Sequence, residues 1–167
     1  MRPALVEQLR NGVQGKVSII SAPAGFGKTT LFSAWMAAPK ESYHQPRIAW
    51  VSLDEEDNDP AHFFSYLAAA LQGAAPGAAH ALASLLAANS ANPRGLVMAL
   101  IQGWFERESA QDVVLALDDY HHITSQPIHD ALTYLVDYLP QDLHLVIISR
   151  AESRCGRARE APTTTRA

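Results

Sequence analysis

The chain has 167 residues, 48% of them hydrophobic, which is enough for one globular core and short for two. Thirteen Lys and Arg against seventeen Asp and Glu leave a formal charge of -4, so no general basic field is available to hold nucleic acid, and DNA binding by this chain alone is not expected. A single cysteine, Cys155, excludes an internal disulfide, early charges (Arg2, Glu7, Arg10) break any secretory run, and no stretch approaches the roughly 20 apolar residues of a membrane helix; the reading is a cytoplasmic protein with no membrane partner.

Leu5, Leu9 and Val13 have helical spacing after Pro3, and Gly15 ends that pattern before the strand-like run 17–21. Leu31, Ala34, Trp35 and Ala38 return to the three-four period and stop at Pro39. Residues 48–53 read as a second strand, and Asp59-Pro60 opens a helix carrying Phe63, Phe64, Leu67 and Leu71. From 73 to 89 alanine dominates, so a helix after Gly77 is expected without a definable packing face. Asn92-Pro93 opens another helix, with Leu96, Val97, Leu100, Ile101, Trp104 and Phe105 on one side. The apolar run 113–117 is a strand, Pro127 begins a helix with Ile128, Leu132, Leu135, Val136 and Leu139, and 143–148 is a last strand, apolar except for His144. Such runs suit a parallel sheet covered on both faces, and the alternation predicts an α/β three-layer sandwich around an open, mainly parallel sheet. Residues 151–167 carry Arg, Thr and Ala without periodicity and read as a disordered tail.

The first strand runs into Ala22-Pro23-Ala24-Gly25-Phe26-Gly27-Lys28-Thr29-Thr30, and a helical pattern follows. In a P-loop, successive backbone N–H groups curl around phosphate oxygens at the positive end of a helix, and a lysine adds a full charge. Gly25 and Gly27 permit the curl, Lys28 is expected on the β and γ phosphates, and the Thr29 hydroxyl on Mg²⁺; Ala22 stands where the pattern usually has glycine, at a position that needs only a small side chain. Asp118 and Asp119 close the strand 113–117, where one carboxylate serves magnesium and the next orients or activates a water: Asp118 is assigned to the metal and Asp119 to the base. Two solvated aspartates at a strand end are the ordinary alternative. Arg150, after the last strand, is a candidate reporter of the γ phosphate or simply a solvated arginine. The acidic run 54–59 lacks the glycine and the distal glutamate of a calcium loop and reads as helix-capping, while the histidines lack metal-ligand spacing.

With these residues in view, the chain resembles the start of the MalT-like regulators, large LuxR-type transcription factors built on a STAND-class ATPase domain of AAA-like fold. The resemblance is carried by Arg2-Pro3, the stretch from Ser21 through Leu31, Trp35, Ala49-Trp50-Val51-Ser52-Leu53-Asp54, Asp57-Asn58-Asp59-Pro60, Phe63, Tyr66-Leu67, Leu117-Asp118-Asp119-Tyr120-His121 and the stretch from Leu143 to Arg150. It implies an ATP-dependent switch in which inducer and ATP favour a self-associating form, with DNA bound only through a C-terminal domain absent from this chain. It also implies that Lys28, Thr29, Asp118 and Arg150 are the Walker A, Walker B and sensor residues. Relatives continue into a fifth strand, a winged helix, helical repeats and a DNA-binding domain, so residues 1–150 read as an incomplete ATP-binding domain lacking that strand. The tail departs from the family pattern; codons for residues 154–158 can be chosen whose shifted reading approaches the family's continuation, so an out-of-frame tail is one expectation.

The resulting reading is a Mg-ATP-binding regulatory domain with slow hydrolysis at most. A free-standing P-loop ATPase or small-molecule kinase, and a non-functional remnant left with an apolar edge along strand 17–20, are the alternatives.

Overall fold

The computed structural model describes residues 16–21, 46–88, 92–108, 111–150 and 165–166. Strands β1 (Val17–Ser21), β2 (Arg47–Ser52), β3 (Val113–Asp118) and β4 (Leu143–Ser149) are mutually parallel, and a two-residue strand β5 (Thr165–Arg166) joins β1 to complete the order β2-β3-β4-β1-β5. Every residue of β3 is buried, and so is every residue of β4 except His144. Their alternate side chains feed two cores. Leu115, Leu117, Leu145 and Ile147 join the main cluster, and Val114, Ala116, Val146 and Ile148 form a second one with Ile20, Ile48 and Trp50. Parallel strands buried on both faces cannot alternate polar with apolar residues, which is why these runs are continuously hydrophobic.

Four described helices, α1 (Pro60–Leu71), α2 (Pro76–Ala87), α3 (Pro93–Phe105) and α4 (Gln126–Asp137), contribute to the main cluster. The Asp59 carboxylate accepts the His62 N–H at 3.0 Å to start α1, and Asn92 accepts the Gly95 N–H at 2.7 Å to start α3; each capping residue precedes a proline whose missing N–H costs nothing at that position. The alanine-rich stretch does form a helix, one residue earlier than Gly77, and Ala78, Ala79 and Leu82 are its buried positions. Its packing depends on smallness. A Cβ added at Gly103 would lie 2.7 Å from Ala81 Cβ and 2.8 Å from the Gly77 carbonyl oxygen, so α2 and α3 touch nearly main chain to main chain. Phe105 departs from the expected face of α3: it sits in the last turn and is 72% exposed, while Leu96, Val97, Leu100 and Trp104 are buried.

No full-length fifth strand lies among the described residues, but the tail is not wholly outside the sheet: Thr165 pairs with Ile20 and Arg166 with Ser21. An unpaired strand edge offers free N–H and C=O groups, and two residues of the tail take up part of that offer. All of β1 stays only partly buried, unlike β3. The predicted helices around residues 5–13 and 31–38, and residues 151–164 of the tail, lie outside the described residues.

Candidate functional site

Because the four long strands run the same way, their carboxyl ends share one edge of the sheet. The register sets Ser52 beside Asp118 and Ser21 beside Ser149 along that edge. In open α/β sheets ligands bind outside the carboxyl ends of the strands, where connections leave in opposite directions. From Ser21 the chain passes directly into residues 22–30; the phosphate-cradle candidates Ala22, Gly25, Phe26, Gly27, Lys28, Thr29 and Thr30 lie outside the described residues.

Asp118 is the final residue of β3 and is 6% exposed. Its Oδ1 accepts the Asp119 N–H at 2.9 Å, and its main-chain oxygen accepts the Leu53 N–H at 3.0 Å, which extends the β2–β3 pairing past Ser52. Asp119 then takes the left-handed conformation, φ 55° and ψ 34°, the one positive φ among described non-glycine residues. Aspartate tolerates that region better than most residues, and the reversal turns the chain off the strand axis into the short 3-10 turn Tyr120–His122. Two adjacent carboxylates thereby receive different surroundings. Asp118 stays in the sheet edge, while Asp119 Oδ1 lies 3.4 Å from Arg150 Nε and 3.7 Å from His121 Nδ1. Arg150 is half exposed, so this pair contributes about 0–1 kcal/mol and is readily exchanged.

The structure thus brings Asp118, Asp119 and Arg150 to one edge. It also places there His121 and Asn58, to which the sequence reading gives no role in the site. His121 stacks on His122 with ring centroids 4.2 Å apart, at the flank of Asp119. Asn58, in the acidic run, reaches across to the chain that follows this turn. The run itself is a capping loop: residues Glu55–Asn58 form a 3-10 helix closed by Asp54 and Asp57, with the Asp54 carboxylate accepting the Glu56 N–H and Asp57 Oδ2 accepting the Asp54 N–H, each at 2.8 Å. Behind the turn, the Tyr120 hydroxyl lies 2.6 Å from His129 Nδ1 on α4. Burial pushes the His129 pKa below its ordinary value, opposed by the Asp130 charge and by a main-chain contact at Ile123.

Asp118 supplies a carboxylate at the strand end, and no group of three or more His, Cys, Asp or Glu among the described residues is arranged around a metal. Asp118 is the described carboxylate that could contribute to a magnesium shell, an ion that commonly takes one or two carboxylates from the protein.

The model of the AAA domain family matches residues 11–153, which include all four long strands and the motif 22–30. The chain belongs to that family. Along 95% of its length this AAA domain is 36% identical to the HTH-type transcriptional regulator MalT of Cronobacter sakazakii (strain ATCC BAA-894), covering 17% of that protein. It is 34% identical to the MalT of Serratia proteamaculans (strain 568) over 90% of the chain and 16% of the relative. The AAA domain therefore spans about one sixth of the length of these curated relatives. No described helix is long and apolar enough to cross a membrane.

Proposed function

We propose that this AAA domain binds Mg-ATP as the conformational switch of a signal-responsive, MalT-like transcriptional regulator. Lys28 and the amides of residues 25–30 hold the phosphates, Thr29 and Asp118 hold magnesium, Asp119 handles a water, and Arg150 reads the γ phosphate. The observation that carries the reading is the buried Asp118 at the carboxyl edge of the sheet, one strand removed from the strand end from which the motif 22–30 departs. When bound, the nucleotide supplies a phosphoanhydride and the metal neutralises charge on its oxygens. The chain's own contribution is positional. Asp118 is fixed by the strand and by the Asp119 amide, and the Asp119–Arg150 contact is weak enough for Arg150 to exchange a carboxylate for a phosphate oxygen. Self-association on ATP binding, a distant DNA-binding domain and a cytoplasmic setting belong to the same proposal.

Thermal melting of the whole chain with and without millimolar Mg-ATP tests it. Saturation near one hundred times Kd adds about 2.7 kcal/mol and raises Tm by roughly 5 °C or more. Lys28→Ala abolishes that shift while leaving the nucleotide-free Tm in place. A wild type that melts at the same temperature with and without Mg-ATP overturns the proposal, and ATP consumption that rises with a small acceptor replaces it with a kinase.

A further inference from the structure

Asn58 uses its whole amide group. Its Nδ2 donates to the Glu55 carbonyl at 3.0 Å and to the His122 carbonyl at 2.8 Å. Its Oδ1 accepts the Thr124 N–H at 2.6 Å, the Ser125 N–H at 2.9 Å and the Thr124 hydroxyl at 3.3 Å. Four of these five bonds cross to a segment more than sixty residues away in sequence. Ser125, the N-cap of α4, makes no capping bond with its own side chain. Only an amide supplies two donors and two acceptor lone pairs in one plane, and aspartate here would set a charge against two carbonyl oxygens.

The fastened segment leads back to the metal carboxylate by successive main-chain bonds. The Ile123 N–H is donated to the Tyr120 oxygen and the His122 N–H to the Asp119 oxygen, each at 3.0 Å, and the Asp119 N–H is donated to Asp118 Oδ1 at 2.9 Å. We infer that Asn58 is a positioning residue: it ties the 3-10 helix that follows β2 to the turn after β3 and so sets the orientation of the Asp118 carboxylate toward magnesium. The inference rests on the Mg-ATP reading of this edge. It acts through the metal and not through the phosphate cradle, whose residues belong to a separate stretch of chain.

The test titrates Mg²⁺ into the full chain with a fluorescent ATP analogue, for wild type, Asn58→Ala and Asn58→Asp. Asn58→Asp keeps the acceptor for Thr124 and Ser125 and loses both donors, so it removes the bonds to the Glu55 and His122 carbonyls together and provides a second variant should alanine unfold the chain. The Mg²⁺ concentration for half-maximal binding rises fivefold or more in the folded variants, whereas affinity for the analogue in EDTA stays within twofold. Hydrogen exchange at the Thr124 and Ser125 amides accelerates at least tenfold in Asn58→Ala, with Leu145 and Ile147 unchanged. A merely structural loss lowers the folded fraction without changing the Mg²⁺ requirement. A wild type that binds while both variants keep its Mg²⁺ requirement overturns the inference alone; a wild type that binds no analogue removes the reading of the site and this inference with it.

Discussion

The two edges of the sheet use acidic residues in opposite ways. At the amino edge, Asp142 precedes β4; its Oδ1 accepts the Trp104 indole N–H at 2.8 Å, its Oδ2 pairs with the buried Arg107, and its main-chain oxygen accepts the Val113 N–H at 2.8 Å. Arg107 lies over the Trp104 ring, 4.1 Å from the centroid, so the charge is held by geometry as well as by attraction. At the carboxyl edge, Asp119 is a third exposed, sits at a positive φ and meets two partners at 3.4 and 3.7 Å. The first arrangement fastens α3 to the strands. The second leaves a carboxylate and a guanidinium on exchangeable terms, which is what a site that must accept a charged ligand requires.

The largest expected effect is at the fastened edge. Asp142→Ala strands a buried guanidinium and an indole N–H, and urea denaturation is expected to show a loss of about 3 kcal/mol. A loss under 1 kcal/mol would erase the contrast between the edges. An intermediate effect sits behind the turn, at His129. Its folded pKa lies below its unfolded value near 6.5, so the unfolded chain binds the extra proton; the stability this group confers is present above that value and is lost as pH falls from it toward the folded pKa. Melting between pH 7.5 and 5.5 therefore declines more steeply in the wild type than in His129→Gln, and equal slopes would remove the linkage. The smallest effect belongs to Arg150→Ala, which changes stability by roughly 0.5 kcal/mol or less in the same urea assay. A large change there would mean that the carboxyl edge is fastened as firmly as the other.

How far this was readable depends on what each residue's signal travels through. β3 and β4 announce themselves because burial on both faces demands uninterrupted apolar residues. The caps of α1 and α3 are equally plain, since Asp59-Pro60 and Asn92-Pro93 act within one turn. The face of α2 was illegible because alanine carries almost no contrast between buried and exposed positions, and the Gly77 and Gly103 contact that orients it depends on a partner helix. Phe105 misled because hydrophobic spacing persists into a last turn that has run past the core. Asp118 and Asp119 were found from their place after an apolar strand, but their divergence depends on one φ angle, and Arg150 reaches Asp119 only through the fold. Asn58 looked like one polar residue among acids because its partners lie in a distant loop. The short strand at Thr165 had no signal in composition; it exists as an answer to the edge of β1.

The seam between Gly77 and Gly103 has a mechanical consequence. Where two helices meet this closely, a side chain added at position 103 has to displace the Gly77 carbonyl or the Ala81 methyl. The guanidinium of Arg94 on α3, 4.6 Å from the centre of the Tyr134 ring, links that pair to α4. Bulk introduced at the seam would therefore wedge α2 away from α3 and disturb the main core to which both helices contribute.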